Sequence, residues 1–230
     1  MKLIVSDYDE TFSKSLKKNI EYANKFMESG NLFVIATGSS YQSYIDKLKG
    51  NIFNANYVIT NHGAIIVKNG KVIFEKSLSD SLSNSIFDDI IESNYKTYFY
   101  CNKDVRMSND VLNKTVKINI NFNRIEDATS FKDKMLRKYG NYINCYLMYE
   151  TLIEIVSINA SKIFAINKVI ELENICKDNV YTVGDGYNDI DMIKEFNGYA
   201  VKNSVEELEK VAKNEIDSVY KLIKEISSKW

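Results

Sequence analysis

The chain opens on a short apolar run, Leu3-Ile4-Val5, that reaches two carboxylates, Asp7 and Asp9, within four residues. A brief continuous apolar run of this kind reads as a buried strand. Buried strands do not normally finish in paired acids. Residues two apart in a strand share a face, so Asp7 and Asp9 are expected to point the same way. Like charges so close raise one pKa unless a cation lies between them. Two roles fit that cost: holding a hard divalent metal through oxygen, or pairing a nucleophile with an acid/base. The plain alternative is a solvated turn, where Asp and Thr are common.

The second half carries a matching signal. Val180 to Val183 is another short apolar strand, followed by Gly184-Asp185-Gly186-Tyr187-Asn188-Asp189. Ile190, Ile193 and Phe196 then follow helical spacing. A capped helix start explains one acid there. It does not explain Gly-Asp-Gly followed by both Asn188 and Asp189. Glycine on either side of Asp185 lets the backbone approach a ligand closely. Ligands of a parallel α/β sheet gather beyond the carboxyl ends of its strands. Both acidic clusters lie at such ends and can converge on one metal.

Two weaker signals occupy comparable places. Residues 31–36 read as a strand ending in Thr37-Gly38, a hydroxyl and a main-chain N–H suited to phosphate oxygens. Lys162 stands where a strand gives way to a helix and could neutralise a phosphoryl group. Each also has an ordinary reading, as a turn and as a solvated helix start.

Strands near 3–7, 32–36, 56–60, 180–183 and 198–201 alternate with helices at 15–28, 41–49, 161–172, 189–196 and 205–213. This predicts an α/β, doubly wound parallel sheet of Rossmann-like type, closed by a helix over 215–229. Between 69 and 158 the pattern changes to helix, two strands, helix, two strands (79–93, 96–101, 115–122, 126–138, 142–148, 151–157). The expected domains are therefore a core over 1–68 and 159–230, with an inserted αββαββ unit over 69–158. Val116, Ile118, Ile120 and Phe122 alternate with Lys117, Asn119 and Asn121, so one sheet face should meet the unit's helices.

A chain of 230 residues, 45% hydrophobic, can bury a core for one domain plus a lid. A net charge of −1 gives no reason to expect nucleic acid as a partner. The apolar runs are too short for a membrane span, and the first residues turn acidic too soon for a signal peptide. Cys101, Cys145 and Cys176 are scattered and lack metal spacing, so reduced thiols in a cytoplasmic protein are expected. His62, the single histidine, is read as structural.

The order Asp-Tyr-Asp-Glu-Thr, Thr-Gly, Lys, Gly-Asp-Gly-Tyr-Asn-Asp resembles the haloacid dehalogenase-like hydrolase superfamily, and within it the Cof-type phosphatases. Asn61-His-Gly-Ala-Ile65 and Ala200-Val-Lys-Asn-Ser204 resemble further segments of that subgroup. The resemblance implies a Mg²⁺-dependent phosphatase. Asp7 would accept the phosphoryl group as an aspartyl phosphate. Asp9 would protonate the leaving alcohol and then activate water, its main-chain carbonyl binding the metal. Thr37, Gly38, Lys162 and Asn188 would hold phosphate, Lys162 also balancing the charge of Asp7. Asp185 would ligate Mg²⁺, with Asp189 acting indirectly. A carboxylate nucleophile divides hydrolysis into two easier steps, and Mg²⁺ suits few carboxylates plus a substrate phosphate.

Two departures stand out: Glu10 replaces a usual Gly, and Ser39 replaces a frequent Arg. An acid at Asp9 favours phosphate-ester hydrolysis over dehalogenation. In this lid class the open sheet face covers the phosphate site, making Lys117, Asn119, Asn121 and Glu154 candidates for substrate contacts, with Arg106 and Arg124 behind them. The expected substrate is a small phosphorylated metabolite, a sugar phosphate by similarity, handled by a monomer or homodimer. The alternatives are a phosphomutase or phosphotransferase on the same site, or a non-catalytic phosphate-binding protein.

Overall fold

Most core strands are runs of four or five mostly apolar residues, rich in β-branched side chains and closed by a polar or glycine-bearing turn. The computed structural model describes residues 1–102, 105–107 (main chain only) and 114–227. The chain begins β1 (Leu3–Asp7), α1 (Leu16–Glu28), β2 (Leu32–Ala36), α2 (Tyr41–Lys47), β3 (Tyr57–Thr60), β4 (Ile65–Lys68), β5 (Lys71–Glu75). It continues α3 (Asp80–Ile91), β6 (Tyr95–Asn102), β7 (Val105–Met107), β8 (Thr115–Phe122), α4 (Ile125–Tyr139), β9 (Ile143–Met148), β10 (Leu152–Ser157). It ends α5 (Lys162–Glu173), β11 (Val180–Gly184), α6 (Ile190–Glu195), β12 (Asn197–Val201), α7 (Glu206–Glu209), β13 (Asn214–Ile216), α8 (Val219–Ser227).

The first sheet has the order β13-β12-β11-β1-β2-β3-β4-β5. It is parallel from β13 to β3, and β4 turns back antiparallel on β3. The chain winds outward from β1 to β3, then resumes at β11 on the other side of β1. Strand order thus reverses between β1 and β11, and a crevice opens beyond the carboxyl ends at such a point. Leu3, Ile4, Val5, Phe33, Val34, Ile35, Val180 and Val183 are wholly buried, as strands covered on both faces must be. Asn19, buried on α1, uses both ends of its amide, donating to the Phe12 carbonyl at 2.6 Å and accepting from the Tyr220 N–H at 2.9 Å. That pair ties α1 to α8 beneath the first loop.

The chain divides into two compact units, Met1–Val72 with Lys162–Trp230, and Ile73–Ser161. The second contains an antiparallel sheet ordered β7-β6-β8-β10-β9. Ile118, Ile120 and Phe122 pack with Ile86 and Ile90 of α3 and Phe131 and Met135 of α4. Each such buried side chain contributes about 1.5–3 kcal/mol.

Several segments differ from expectation. Asn69 and Gly70 both take left-handed backbone (φ 51° and 70°), the requirement of a tight hairpin turn. The hairpin adds β4 and β5 to the core sheet, so the first unit runs past residue 68. The second unit gains β7, whose three residues pair with the end of β6. The helix expected over 205–213 shrinks to one turn, because the Lys213 N–H bonds the Gly198 carbonyl and Asn214–Ile216 pairs with β12. The final helix accordingly starts at Val219, and the end expected for it at 229 lies outside the described residues.

Asp89 joins the two helices of the second unit, accepting from Tyr139 Oη at 2.7 Å and meeting Lys134 and Lys138 Nζ at 2.8 Å. Burial pushes its carboxyl up, but the three donors outweigh that and hold it below the ordinary range. A depressed acid stabilises the fold above its unfolded pKa, near 3.9, and that contribution is lost as pH falls through the lower folded value. Asp89→Asn is therefore expected to cost about 2 kcal/mol at neutral pH, allowing for half-exposed lysines. In thermal melts the gap from the parent protein should close below the carboxylate range. A gap independent of pH would contradict the assignment.

Candidate active site

Asp7 is the last residue of β1, paired in register with Ala36 of β2, and Ser6 is paired with Val183 of β11. Asp7 thus emerges at the switch point, with Thr37 following β2 on one side and Asp185 following β11 on the other. The strand ends there. Tyr8–Phe12 forms a wound turn in which Asp9 has φ −70°, ψ 135° and Glu10 has φ 57°. A glycine takes that left-handed conformation without strain, whereas Glu10 pays for it with a poorer backbone energy. The strand on which the shared face of Asp7 and Asp9 was expected ends at Asp7. Once the strand stops, period-two alternation no longer holds, and the Asp9 carboxylate goes to Lys47. Lys47 Nζ donates to both Asp9 oxygens at 2.7 Å and to Ser39 Oγ at 2.8 Å.

Asp7, Asp185 and Asp189 each offer an oxygen, all within 4.8 Å of one another. Lys162, buried at the first turn of α5, donates to Asp7 Oδ1 at 2.5 Å and to Asp189 Oδ1 at 2.7 Å. Thr11 Oγ1 donates to Asp185 Oδ1 at 2.7 Å. The other Asp189 oxygen accepts from the Asp185 and Gly186 N–H groups at 3.2 and 3.1 Å, pinning the loop. Gly184 is required for this: a Cβ there would stand 2.6 Å from the Asp189 carboxyl. Asn188 is half-buried, with its Oδ1 turned over Gly186.

The electrostatics are tense. Burial pushes the Asp7 carboxyl well above the ordinary range; Lys162 pulls it down, while Asp189 and Asp185 push it up. Burial and Asp189 also raise Asp185, against the hydrogen bond from Thr11. Burial opposes the charge of Lys162, but Asp189 and Asp7 together raise its pKa. With all three carboxylates ionised, one ammonium would leave two negative charges uncompensated in a largely buried, all-oxygen cluster. That donor set fits a small hard divalent cation.

Thr37 is buried after β2, and its Oγ1 accepts from the Ser39 N–H at 3.0 Å. The loop is backed by Asn61-His62-Gly63, three consecutive residues with positive φ (49°, 57°, 100°). The His62 N–H donates to the Thr37 carbonyl at 3.2 Å and the Asn61 N–H to the Ser39 carbonyl at 2.9 Å. The imidazole lies so close under Gly38 that a Cβ would stand 2.6 Å from Cε1. Gly38→Ala is expected to displace the loop and lower kcat/KM by roughly 10²-fold. His62→Gly, which removes the ring and suits the positive φ, should restore part of that activity in the double variant. No restoration would show that the collision is not the cause.

The remaining expected residues lie in the second unit. Lys117 and Glu154 form an ion pair at 2.7 Å across β8 and β10. Asn119 stands opposite Glu154 in register, and its Nδ2 has no hydrogen-bond partner among the described residues. Asn121 donates to Thr97 Oγ1 at 3.3 Å. Arg124 is exposed and engaged by Asp127 at 2.7 Å, and the side chain of Arg106 lies outside the described residues. Lys47, Thr11 and the ring of His62 were missed as site neighbours. A lysine ending a helix and a histidine in a loop carry no mark in sequence of what they touch, while Thr11 falls in the first motif and could have been weighed there.

The sequence model for haloacid dehalogenase-like hydrolases matches residues 4–124 and 111–221. A protein of Buchnera aphidicola (subsp. Schizaphis graminum) named as an inferred phosphatase is 24% identical over 221 residues, spanning 84% of this chain and 80% of its own. The solved structure of an inferred haloacid dehalogenase/Cof-like hydrolase from Plasmodium vivax superposes with a TM-score of 0.84 at 19% identity, covering 100% of this chain and 96% of that one. A structure described as a subclass IIB sugar phosphatase superposes with a TM-score of 0.81 at 15% identity, covering 99% of each chain.

Proposed function

Because this chain belongs to the haloacid dehalogenase-like hydrolases, we propose that it is a metal-dependent phosphatase of the Cof type, acting on small phosphate esters, sugar phosphates among them. The observation that carries the proposal is the largely buried group of Asp7, Lys162, Asp185 and Asp189 at the switch point of the sheet. Asp7 attacks phosphorus, and the bond to the leaving oxygen breaks as an aspartyl phosphate forms. The leaving alkoxide takes its proton from Asp9. Asp9, now ionised, removes a proton from water, which attacks the same phosphorus and frees Asp7 and inorganic phosphate. Thr37 and the Gly38 N–H hold the phosphoryl oxygens, and Asn188 steadies the opposite loop. Lys162, donating to Asp7 Oδ1, favours its ionised form against burial and turns it toward the substrate. Asp7, Asp185 and the Asp9 carbonyl would hold Mg²⁺, with Asp189 ordering its shell, and the ion supplies charge neutralisation for the phosphoryl group.

The inserted unit is assigned the role of a lid that reads the leaving group, through Lys117, Asn119, Asn121 and Glu154. The buried Nδ2 of Asn119 supports this, because a donor without a partner is a group that substrate oxygens satisfy.

The test is phosphate release from p-nitrophenyl phosphate and a sugar-phosphate panel. Activity is expected with Mg²⁺, loss of it in excess chelator, and poor replacement by Ca²⁺, which prefers a larger oxygen shell. Full activity in chelator would sink the mechanism. Transfer of phosphoryl between sugars without free phosphate would point to a phosphomutase instead.

A further inference from the structure

Lys47 stands outside every sequence motif, yet it closes a ring of contacts around Asp9. As the last residue of α2, it accepts at its main-chain carbonyl from Tyr8 Oη at 2.8 Å. Its ammonium donates to both Asp9 oxygens at 2.7 Å and to Ser39 Oγ at 2.8 Å, and the same Ser39 hydroxyl lies 3.5 Å from Asp9 Oδ2. Tyr8 is buried and packs edge-on against Tyr44 of α2 with ring centroids 5.2 Å apart. The Lys47 main chain is therefore anchored through the residue that precedes Asp9, and its side chain holds Asp9 itself.

A structural explanation of this pair is weak. The two side chains are 37% and 34% exposed, and ion pairs of that exposure contribute between nothing and about 1 kcal/mol. Three donated contacts from one ammonium do, however, restrict where the Asp9 carboxylate can lie. We infer that Lys47 is the positioning residue for Asp9, holding its carboxylate at the orientation from which it serves the leaving group. This rests on the acid/base role proposed for Asp9, which it deepens by naming the group that aims it.

Two substrates of similar shape separate positioning from plain structure. Phenyl phosphate expels a leaving group that needs a proton, whereas p-nitrophenyl phosphate expels one that departs readily without it. The quantity to compare is kcat/KM, which reports only the steps through phosphoenzyme formation. Lys47→Met should stay folded, with little change in melting temperature. It should lose roughly 10–10²-fold on phenyl phosphate and distinctly less on p-nitrophenyl phosphate. Lys47→Arg, which keeps a charged donor, should recover the greater part. In an Asp9→Asn background the Lys47→Met change should add nothing, because a positioning residue acts only through the group it positions. Equal losses on the two esters, an additive loss in the double variant, or a gain in rate would each overturn the inference. If Asp9→Asn itself fails to distinguish the two esters, the acid/base role of Asp9 falls instead. That result is read from the single Asp9 variant and is separate from any failure of Lys47.

Discussion

Asp7→Asn is expected to lower turnover by about 10⁴–10⁶-fold, the range seen when a covalent nucleophile is removed, and to leave no phosphoenzyme on acid quench. An amide preserves the shape of the side chain but offers no anionic oxygen to phosphorus. The variant should nonetheless fold. Asp7 lies at the end of β1 among buried like charges, and burial is the largest influence raising its pKa. An acid whose folded pKa is raised costs stability once pH exceeds its unfolded pKa, because the unfolded chain ionises more easily. Without added metal, Asp7→Asn should therefore melt no lower than the parent protein. Loss of activity with retained or higher stability is the signature of a group kept for chemistry. Near-parental turnover, or a labelled intermediate in this variant, would remove Asp7 from the role of nucleophile.

Lys162→Met is expected to act on both stability and rate. The ammonium is buried and bonded to Asp7 and Asp189, so its removal leaves two buried acids without their cation. Breaking a buried pair in this way costs about 3–5 kcal/mol. A divalent ion bound only by the folded state restores stability by mass action. The melting temperature of the variant should thus be low in chelator and rise more with Mg²⁺ than that of the parent protein. Turnover should remain about 10²–10³-fold down even with saturating metal, as when one donor to a developing anion is lost. Equal Mg²⁺ stabilisation of variant and parent would mean that Lys162 and the metal do not share the same carboxylates.

Much of this site is visible along the chain because its parts sit where strands stop. Leu3–Asp7 and Val180–Gly184 are short apolar runs, and a parallel strand buried on both faces can keep a charge only at its carboxyl end. Asp7 and Asp185 are for that reason legible as acids out of place. The alternation over 115–122 likewise separates an apolar face, packed under α3 and α4, from the face bearing Lys117 and Asn119. Where local pattern is ambiguous, reading fails. Residues 205–213 have helical composition, but the edge of β12 draws Asn214–Ile216 into the sheet and ends the helix after one turn.

The sequence by itself determined the order of the principal core strands and helices, the switch point that follows from it, and which carboxylates end strands, since hydrophobic period and turn chemistry act over a few residues. Only the tertiary structure decided that the Asp9 carboxylate meets Lys47, 38 positions along the chain. It alone brought Lys162 between Asp7 and Asp189, 155 and 27 positions away. It also set the His62 ring under Gly38, where no side chain fits. Such contacts depend on how a turn redirects a side chain and which helix end arrives beside it. Those are distances in space, and neither residue's own neighbours in sequence encode them.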